Sequence, residues 1–251
     1  VSDNQEYKQF YSAEAGVYEN TRYGTSYGSL FRELHYKVVS DVCETIPGDA
    51  LVLEVACGTG HTTRLLNSLG ISTIACDLTP NMMVQARDSI SSGEAVTDFI
   101  QTSAFNLPFA DNTFDFLIST RFLHLFEDDD QDQLMQEFAR VLKPGGTILV
   151  DLDNLVARWF YAIPHLLYNI IRYRRFAPDS HYSSPSRARS LLTKHGFDAP
   201  KVLGIGGWHL HFVKLLSTSL AYRFGLRHRF PPYRILAEQF VIVGQARQET
   251  A

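Results

Sequence analysis

The chain has few of the residues that staple or metallate a protein. It holds three cysteines, Cys43, Cys57 and Cys76, in 251 residues. They are scattered and show no metal-ligand spacing, which argues against a disulfide scaffold or a zinc cluster. They read as small buried apolar residues of a reducing compartment. The pair His209 and His211 has no third or fourth ligand in view, so no metal is expected. Long hydrophobic runs are also missing. The nearest, Trp159–Ile171, is broken by Pro164 and His165 and falls short of the roughly 18–20 apolar residues of a membrane span. The first residues are polar and carry Asp3, Glu6 and Lys8, unlike a secretory leader. A cytoplasmic location is the expectation.

Acidic residues are scarce in one region only. Between Arg158 and Arg234 lie 13 of the 23 Lys and Arg residues but two of the 27 acids, although the net charge of the whole is -4. Three uses of that basic, aromatic stretch stay open. Its arginines could clamp an anionic or amphipathic small molecule. The stretch could make peripheral contact with an acidic membrane, or form a solvated face neutralised by the acids elsewhere. Nucleic acid is not an expected partner, since no RNA-binding module is visible and the net charge is negative. The sequence leaves the oligomeric state open.

What is present is concentrated in Leu51-Val-Leu-Glu-Val-Ala-Cys-Gly-Thr-Gly60. A short apolar strand interrupted by one acid runs into a small-residue turn, and a helix starts near Thr62. Glycines at such a junction let backbone approach a ligand and leave helix N–H groups aimed at it. A dinucleotide fingerprint would need a third glycine, but Gly58 and Gly60 are followed by His61, Thr62, Thr63 and Arg64. A nicotinamide dehydrogenase is therefore a weak reading. Asp77 closes the second strand candidate, where a carboxylate can accept from both ribose hydroxyls; an ordinary strand-end turn aspartate is the plain alternative.

Further segments follow in order: Ser103-Ala-Phe-Asn-Leu-Pro-Phe109, Phe114-Asp-Phe-Leu-Ile-Ser119 and Leu142-Lys-Pro-Gly-Gly-Thr-Ile-Leu-Val150. Together with the loop and Asp77, they make the chain resemble the class I S-adenosylmethionine (SAM)-dependent methyltransferases. The resemblance is to the small-molecule branch that includes quinone and sterol-type methylases. It covers Tyr7–Val150 well and the rest loosely. It implies an α/β, doubly wound, mostly parallel seven-stranded Rossmann-like sheet, a helical substrate cap, and SAM as cofactor.

Periodicity places strands at 51–55, 71–76, 97–101, 114–119 and 146–151, with helices near 60–69, 80–91, 130–142 and 185–195. Leu30, Leu34, Val38 and Val42 mark an earlier helix, and Thr79-Pro80 a helix start. Strands divided by helical crossovers predict a parallel sheet. Residues 202–205 and 240–245 read as the last two strands. Leu155–Arg175 and Gly206–Leu236 are insertions beside the sixth strand. One domain is expected: a helical cover at 1–50, a cofactor-binding core at 51–153, cap insertions at 154–236, and a last strand and tail at 237–251.

The resemblance assigns the cofactor site to Glu54, Ala56, Cys57, Gly58, Gly60, Asp77, Leu78, Met82, Ser103, Ala104, Phe105 and Thr120, with Tyr18 and Arg22 closing over the methionine end. Glu54 reads either as a carboxylate that orients the loop and attracts the cofactor's ammonium group, or as one that caps the next helix. Ala56 stands where the family has a glycine and tests whether that position needs positive φ. Leu78 and Met82 or Met83 would flank adenine, though Met82 also suits a helix core. Ser103 replaces the family's acid at the adenine amino group, and the Ala104 or Phe105 amide could serve a ring nitrogen. Tyr18 and Arg22 also suit an ordinary i,i+4 helix pair. His124, just past the fourth strand, is the candidate base; His165, His209 and His211 are remoter ones.

The implied activity is in-line methyl transfer to an O or N nucleophile of a small, apolar or anionic molecule. The rivals are C-methylation of a quinone- or isoprenoid-like lipid and a non-catalytic SAM-binding module.

Overall fold

The computed structural model describes residues 4–90, 95–156, 181–207, 210, 217–225 and 237–248. Leu155–Arg175 lies almost wholly outside them, as do most of Gly206–Leu236, His165, His209, His211, Arg172, Arg174 and Arg175. The expected cap therefore falls mostly outside the described residues.

The chain opens with three helices, α1 (Asn4–Glu14), α2 (Tyr18–Tyr23) and α3 (Ser26–Cys43). Alternation follows: β1 (Val52–Val55), α4 (His61–Ser68), β2 (Thr73–Asp77), α5 (Pro80–Ser89), β3 (Thr97–Gln101) and β4 (Phe114–Ser119). A 3-10 turn at Leu123–Leu125 leads to α6 (Asp128–Val141) and β5 (Leu142–Asn154). The remainder comprises β6 (Tyr182–Ser183), α7 (Pro185–Lys194), β7 (Phe197–Ile205), α8 (Thr218–Gly225) and β8 (Gln239–Ala246).

The sheet order is β3-β2-β1-β4-β5-β8-β7, with β1 to β5 parallel and β8 antiparallel to both neighbours. The expected seven strands gain an eighth, because two-residue β6 pairs with the end of β5. The central strands β1 and β4 are buried along nearly their whole length, as strands covered on both faces are. On β4, Phe114 and Leu117 join a cluster with Leu134 and Phe138 of α6, while Phe116 and Ile118 pack with Leu34 and Val38 of α3.

Two strands extend beyond the expected limits, each through a bulge. The β4–β5 register jumps from Phe114–Leu142 to Phe116–Thr147, so Pro144-Gly145-Gly146 lies within β5 instead of preceding it. In β7 the register shifts between Asp198 and Lys201 around Ala199, whose φ is +43°. Thr79 precedes α5 as expected but gives no side-chain cap; its own amide donates to Asp77 Oδ1 at 2.7 Å. Among the described residues no helix is long and apolar enough to cross a membrane.

Candidate functional site

The loop between β1 and α4 carries three left-handed residues: Ala56 at φ +58°, Gly58 at +55° and Gly60 at +83°. The family's glycine position thus does require positive φ, and Ala56 adopts it at a cost of about 1–2 kcal/mol. A Cβ added at Gly58 would meet no protein atom within 4 Å and Gly58 lines a cavity, so the missing side chain leaves room for a ligand. At Gly60 a Cβ would sit 2.8 Å from Ala86 Cα, so this glycine lets α4 and α5 touch.

Asp77 locks the loop in place. Its Oδ2 accepts from Gly58 N at 2.9 Å and its Oδ1 from Thr79 N at 2.7 Å. Burial raises its pKa, and the two backbone amides pull it back down. A carboxylate has about four acceptor positions. Two are taken by these amides, the Thr79 side chain and the Leu78 amide also lower the pKa, and the group lines the cleft where a ligand hydroxyl would approach it. The loop also hangs on β2 through Cys57 N, which donates to Cys76 O at 3.0 Å. Burial pushes the Cys57 thiol well above its ordinary pKa, which removes it as a nucleophile.

A cleft of about 1000 Å³, part of it open to solvent, runs along the carboxyl edge of the sheet past this loop. Ala56, Cys57, Gly58, Asp77, Leu78 and Met82 line one end. Ser103, Ala104, Phe105, Thr120 and Tyr18 line it as well. The Ser103 hydroxyl accepts from Phe105 N at 3.3 Å, so the Phe105 amide is occupied locally and Ala104 is the amide left for a ring nitrogen. Thr120 and Thr62 share a hydroxyl hydrogen bond of 2.8 Å between the ends of β4 and the loop.

Four expected site residues lie outside the lining. Arg22 turns away, donating to Glu14 Oε2 at 3.4 Å while its guanidinium lies 5.3 Å from the Tyr18 ring centroid. The Tyr18–Arg22 pair is thus divided: the ring faces the cleft and the cation braces it from behind. Glu54 is buried under the loop, where Thr63 donates to it at 2.7 Å. Burial raises its pKa to about 8, with the Thr63 bond opposing, so near neutral pH it is mostly protonated. It ties β1 to α4 and does not face the cavity. Gly60 acts through helix packing. His124 sits on the 3-10 turn with its ring buried and outside the lining, and burial lowers its pKa. Its neighbours Phe122, Leu125 and Phe126 line the cleft instead, because the tight turn sends them to that side.

The structure adds residues that the sequence reading did not single out. Glu19 of α2 accepts from Thr59 Oγ1 at 2.6 Å and from Arg64 at 3.3 Å, fastening the N-terminal helices over the loop. Tyr7, Tyr11 and Tyr23 supply an aromatic roof, and Tyr7 Oη donates to Leu125 O at 2.8 Å. Burial raises the pKa of Tyr11 and pushes Tyr23 up to about 12, so both phenols stay protonated. His61, the first residue of α4, lines the cleft stacked between Tyr23 and Tyr36 at 5.1 and 4.3 Å. Its pKa is lowered well below the usual value, by burial first and then by His35 and nearby arginines. Arg121 lines the cleft just past β4 with φ +57°, held by its amide donating to Asp151 Oδ1 at 2.6 Å. The alternating N-terminal tyrosines were the available signal; the end of the fourth strand marks Arg121 by its position, though not by its side chain, and nothing local in the sequence marks His61.

The fold and edge cleft define a class: a doubly wound α/β domain with a cleft at the carboxyl ends of its strands, the place where such folds take their ligands. Residues 53–150 match the family model of a methyltransferase domain. A ubiquinone/menaquinone biosynthesis C-methyltransferase UbiE of Cereibacter sphaeroides is 35% identical over 124 residues, 46% of this chain and 48% of the relative. The chain thus spans about half the length of the curated relatives it matches.

Magnesium protoporphyrin IX methyltransferase (ChlM) from Synechocystis PCC 6803, solved with bound SAH, superimposes with a TM-score of 0.68 at 12% identity, covering 97% of this chain and 99% of that one. A SAM-dependent methyltransferase from Archaeoglobus fulgidus gives 0.60 at 16% identity, covering 91% and 98%. Residues 53–150 are thus similar to a methyltransferase domain, and the described residues share the fold of these solved methyltransferases.

Proposed function

We propose that this protein transfers the methyl group of SAM to an oxygen or nitrogen of a small, largely apolar or anionic acceptor. The observation that carries this reading is the single cleft joining the Asp77 end to an aromatic end at Tyr7, Phe105, Phe122 and Phe126. This reading puts the nucleoside at the Asp77 end and the acceptor at the aromatic end. Asp77 takes the ribose hydroxyls, Leu78 and Met82 flank the base, and Ser103 with the Ala104 amide meets its polar edge. Glu54 and Gly60 position the loop, and Arg22 braces Tyr18.

The cofactor supplies an activated methyl on a sulfonium. The chain must align the acceptor with it and keep water out. Such alignment contributes on the order of 7–11 kcal/mol in ideal cases. Among the described residues, the ring nearest this role for an acceptor proton is His61, whose lowered pKa keeps it neutral and able to accept.

A second reading, C-methylation of a quinol-like lipid, is supported by the activity in the names of the UbiE relatives. The experiment is twofold: calorimetric titration with S-adenosylhomocysteine (SAH), then incubation with methyl-labelled SAM and a panel of phenols, amines, carboxylic acids and quinols. Micromolar SAH binding and label on an O or N supports the first reading; label on carbon supports the second. Absence of SAH binding overturns both.

A further inference from the structure

Arg121 stands out among the cleft-lining residues because its charge is held in place with no ion pair among the described residues. Its backbone adopts a left-handed φ of +57°, fixed by the amide bond to Asp151 Oδ1. Asp151 is fully buried, and its other oxygen lies 3.2 Å from His35 Nε2. That carboxylate therefore sets the Arg121 backbone; among the described residues the guanidinium has no ion pair or side-chain hydrogen bond, and Asp153 and Asp151 act on it only through space. Arg121 Nε is buried and makes no hydrogen bond, and the guanidinium carbon lies 5.8 Å from the Tyr23 ring centroid.

A second polar group on the same wall is equally unspent. His61 is 8% exposed, lines the cleft, and has neither Nδ1 nor Nε2 hydrogen-bonded. Tyr23 touches both residues. Buried polar groups are normally satisfied, and unsatisfied ones cost about 1–3 kcal/mol each. Two of them on one cavity wall mark a place where a ligand completes the bonding.

Position along the sheet indicates which ligand. Asp77 ends β2, the glycine loop follows β1, and Arg121 follows β4 in the order β2-β1-β4-β5. Two strand spacings put Arg121 ~10 Å along the edge from the ribose-binding carboxylate, on the far side of the loop. The N-terminus of α4 has no side-chain cap, so its amides remain for the cofactor's own carboxylate. Beyond Arg121 come Phe122 and Phe126, packed edge-on to each other at 4.9 Å, with Phe105 at 5.3 Å from Phe126. A cation bordered by aromatic rings fits a flat molecule with one ionised oxygen.

We propose that Arg121 is a specificity-determining residue that binds an ionised oxygen of an aromatic methyl acceptor, with His61 as its hydrogen-bonding companion. This rests on the methyltransferase reading above. The guanidinium holds the oxygen by charge-assisted hydrogen bonds, and the phenylalanines hold the ring.

The test uses 2-naphthoate and its neutral isostere 2-naphthamide, titrated into the full chain with and without SAH. Naphthoate should bind at least tenfold more tightly than naphthamide. Arg121→Met should abolish that difference while SAH affinity stays within threefold, and Arg121→Lys should restore most of it. Equal binding of the two probes by the wild type, or no naphthoate binding at millimolar concentration, overturns the proposal. So does a preference that survives Arg121→Met; if SAH affinity also falls tenfold in that variant, the guanidinium serves the cofactor instead. Failure of the wild type to bind SAH, with the naphthoate preference intact and lost in Arg121→Met, would sink the cofactor reading and leave the Arg121 site standing.

Discussion

Replacing Asp77 with alanine should damage both the ligand site and the loop, by amounts that can be separated. The carboxylate accepts two backbone amides, from Gly58 and Thr79, at 2.9 and 2.7 Å. Removing it strands two partly buried donors at about 1–3 kcal/mol each. The variant should therefore unfold with a stability loss of roughly 2–6 kcal/mol. It also loses two hydrogen bonds from ribose hydroxyls to a charged acceptor, about 1.5–3 kcal/mol each. With tenfold per 1.4 kcal/mol, SAH affinity should fall by about a hundredfold or more. Urea denaturation measures the first effect and calorimetry the second. Asp77→Asn keeps the volume and one acceptor oxygen, so it should recover part of the stability but little of the affinity. If Asp77→Ala binds SAH within a factor of two of the wild type while still folded, the assignment of this carboxylate to the nucleoside is wrong.

Glu54 gives a pH test. Its folded pKa of about 8 lies above an ordinary value near 4.5, so the folded state holds a proton that the unfolded chain releases between those limits. Stability from this group is complete below about pH 4.5 and is lost as pH rises through about 8, on the order of 4 kcal/mol by pH 9. Glu54→Gln should flatten that fall, and equal pH slopes in denaturation would refute the protonated state. Gly60→Ala should cost about 2–5 kcal/mol, since it combines left-handed strain with a Cβ forced onto Ala86; a thermal midpoint matching wild type would show that the helices can part cheaply. His124→Ala should lower stability by about 2 kcal/mol and leave SAH affinity within threefold. A selective loss of turnover in that variant, with stability intact, would return His124 to the role of base.

Much of the cofactor half of the site could be read from sequence because its parts are local. The strand-turn-helix of residues 51–68 and the Asp77 strand end each carry their own signature, and eleven of the fourteen residues expected to meet the cofactor line the cleft. Glu54 and Arg22 fell outside because the sequence fixes residue type but not which side of a strand or helix faces the ligand. His124 lies outside the lining for the same reason. One residue of displacement on a tight turn gave the cavity to Phe122 and Leu125.

The sequence by itself determined the alternation of strands and helices, the positive-φ loop and the carboxylate one strand away, since each depends on a few contiguous residues and their backbone preferences. Tertiary structure alone decided which α1–α3 rings roof the cleft, that Glu19 of α2 fastens the loop, and that Arg121 has no ion-pair partner among the described residues. Those outcomes depend on contacts between residues as far apart as Tyr7 and Leu125 or Arg121 and Asp151, and only packing across the sheet brings such pairs together.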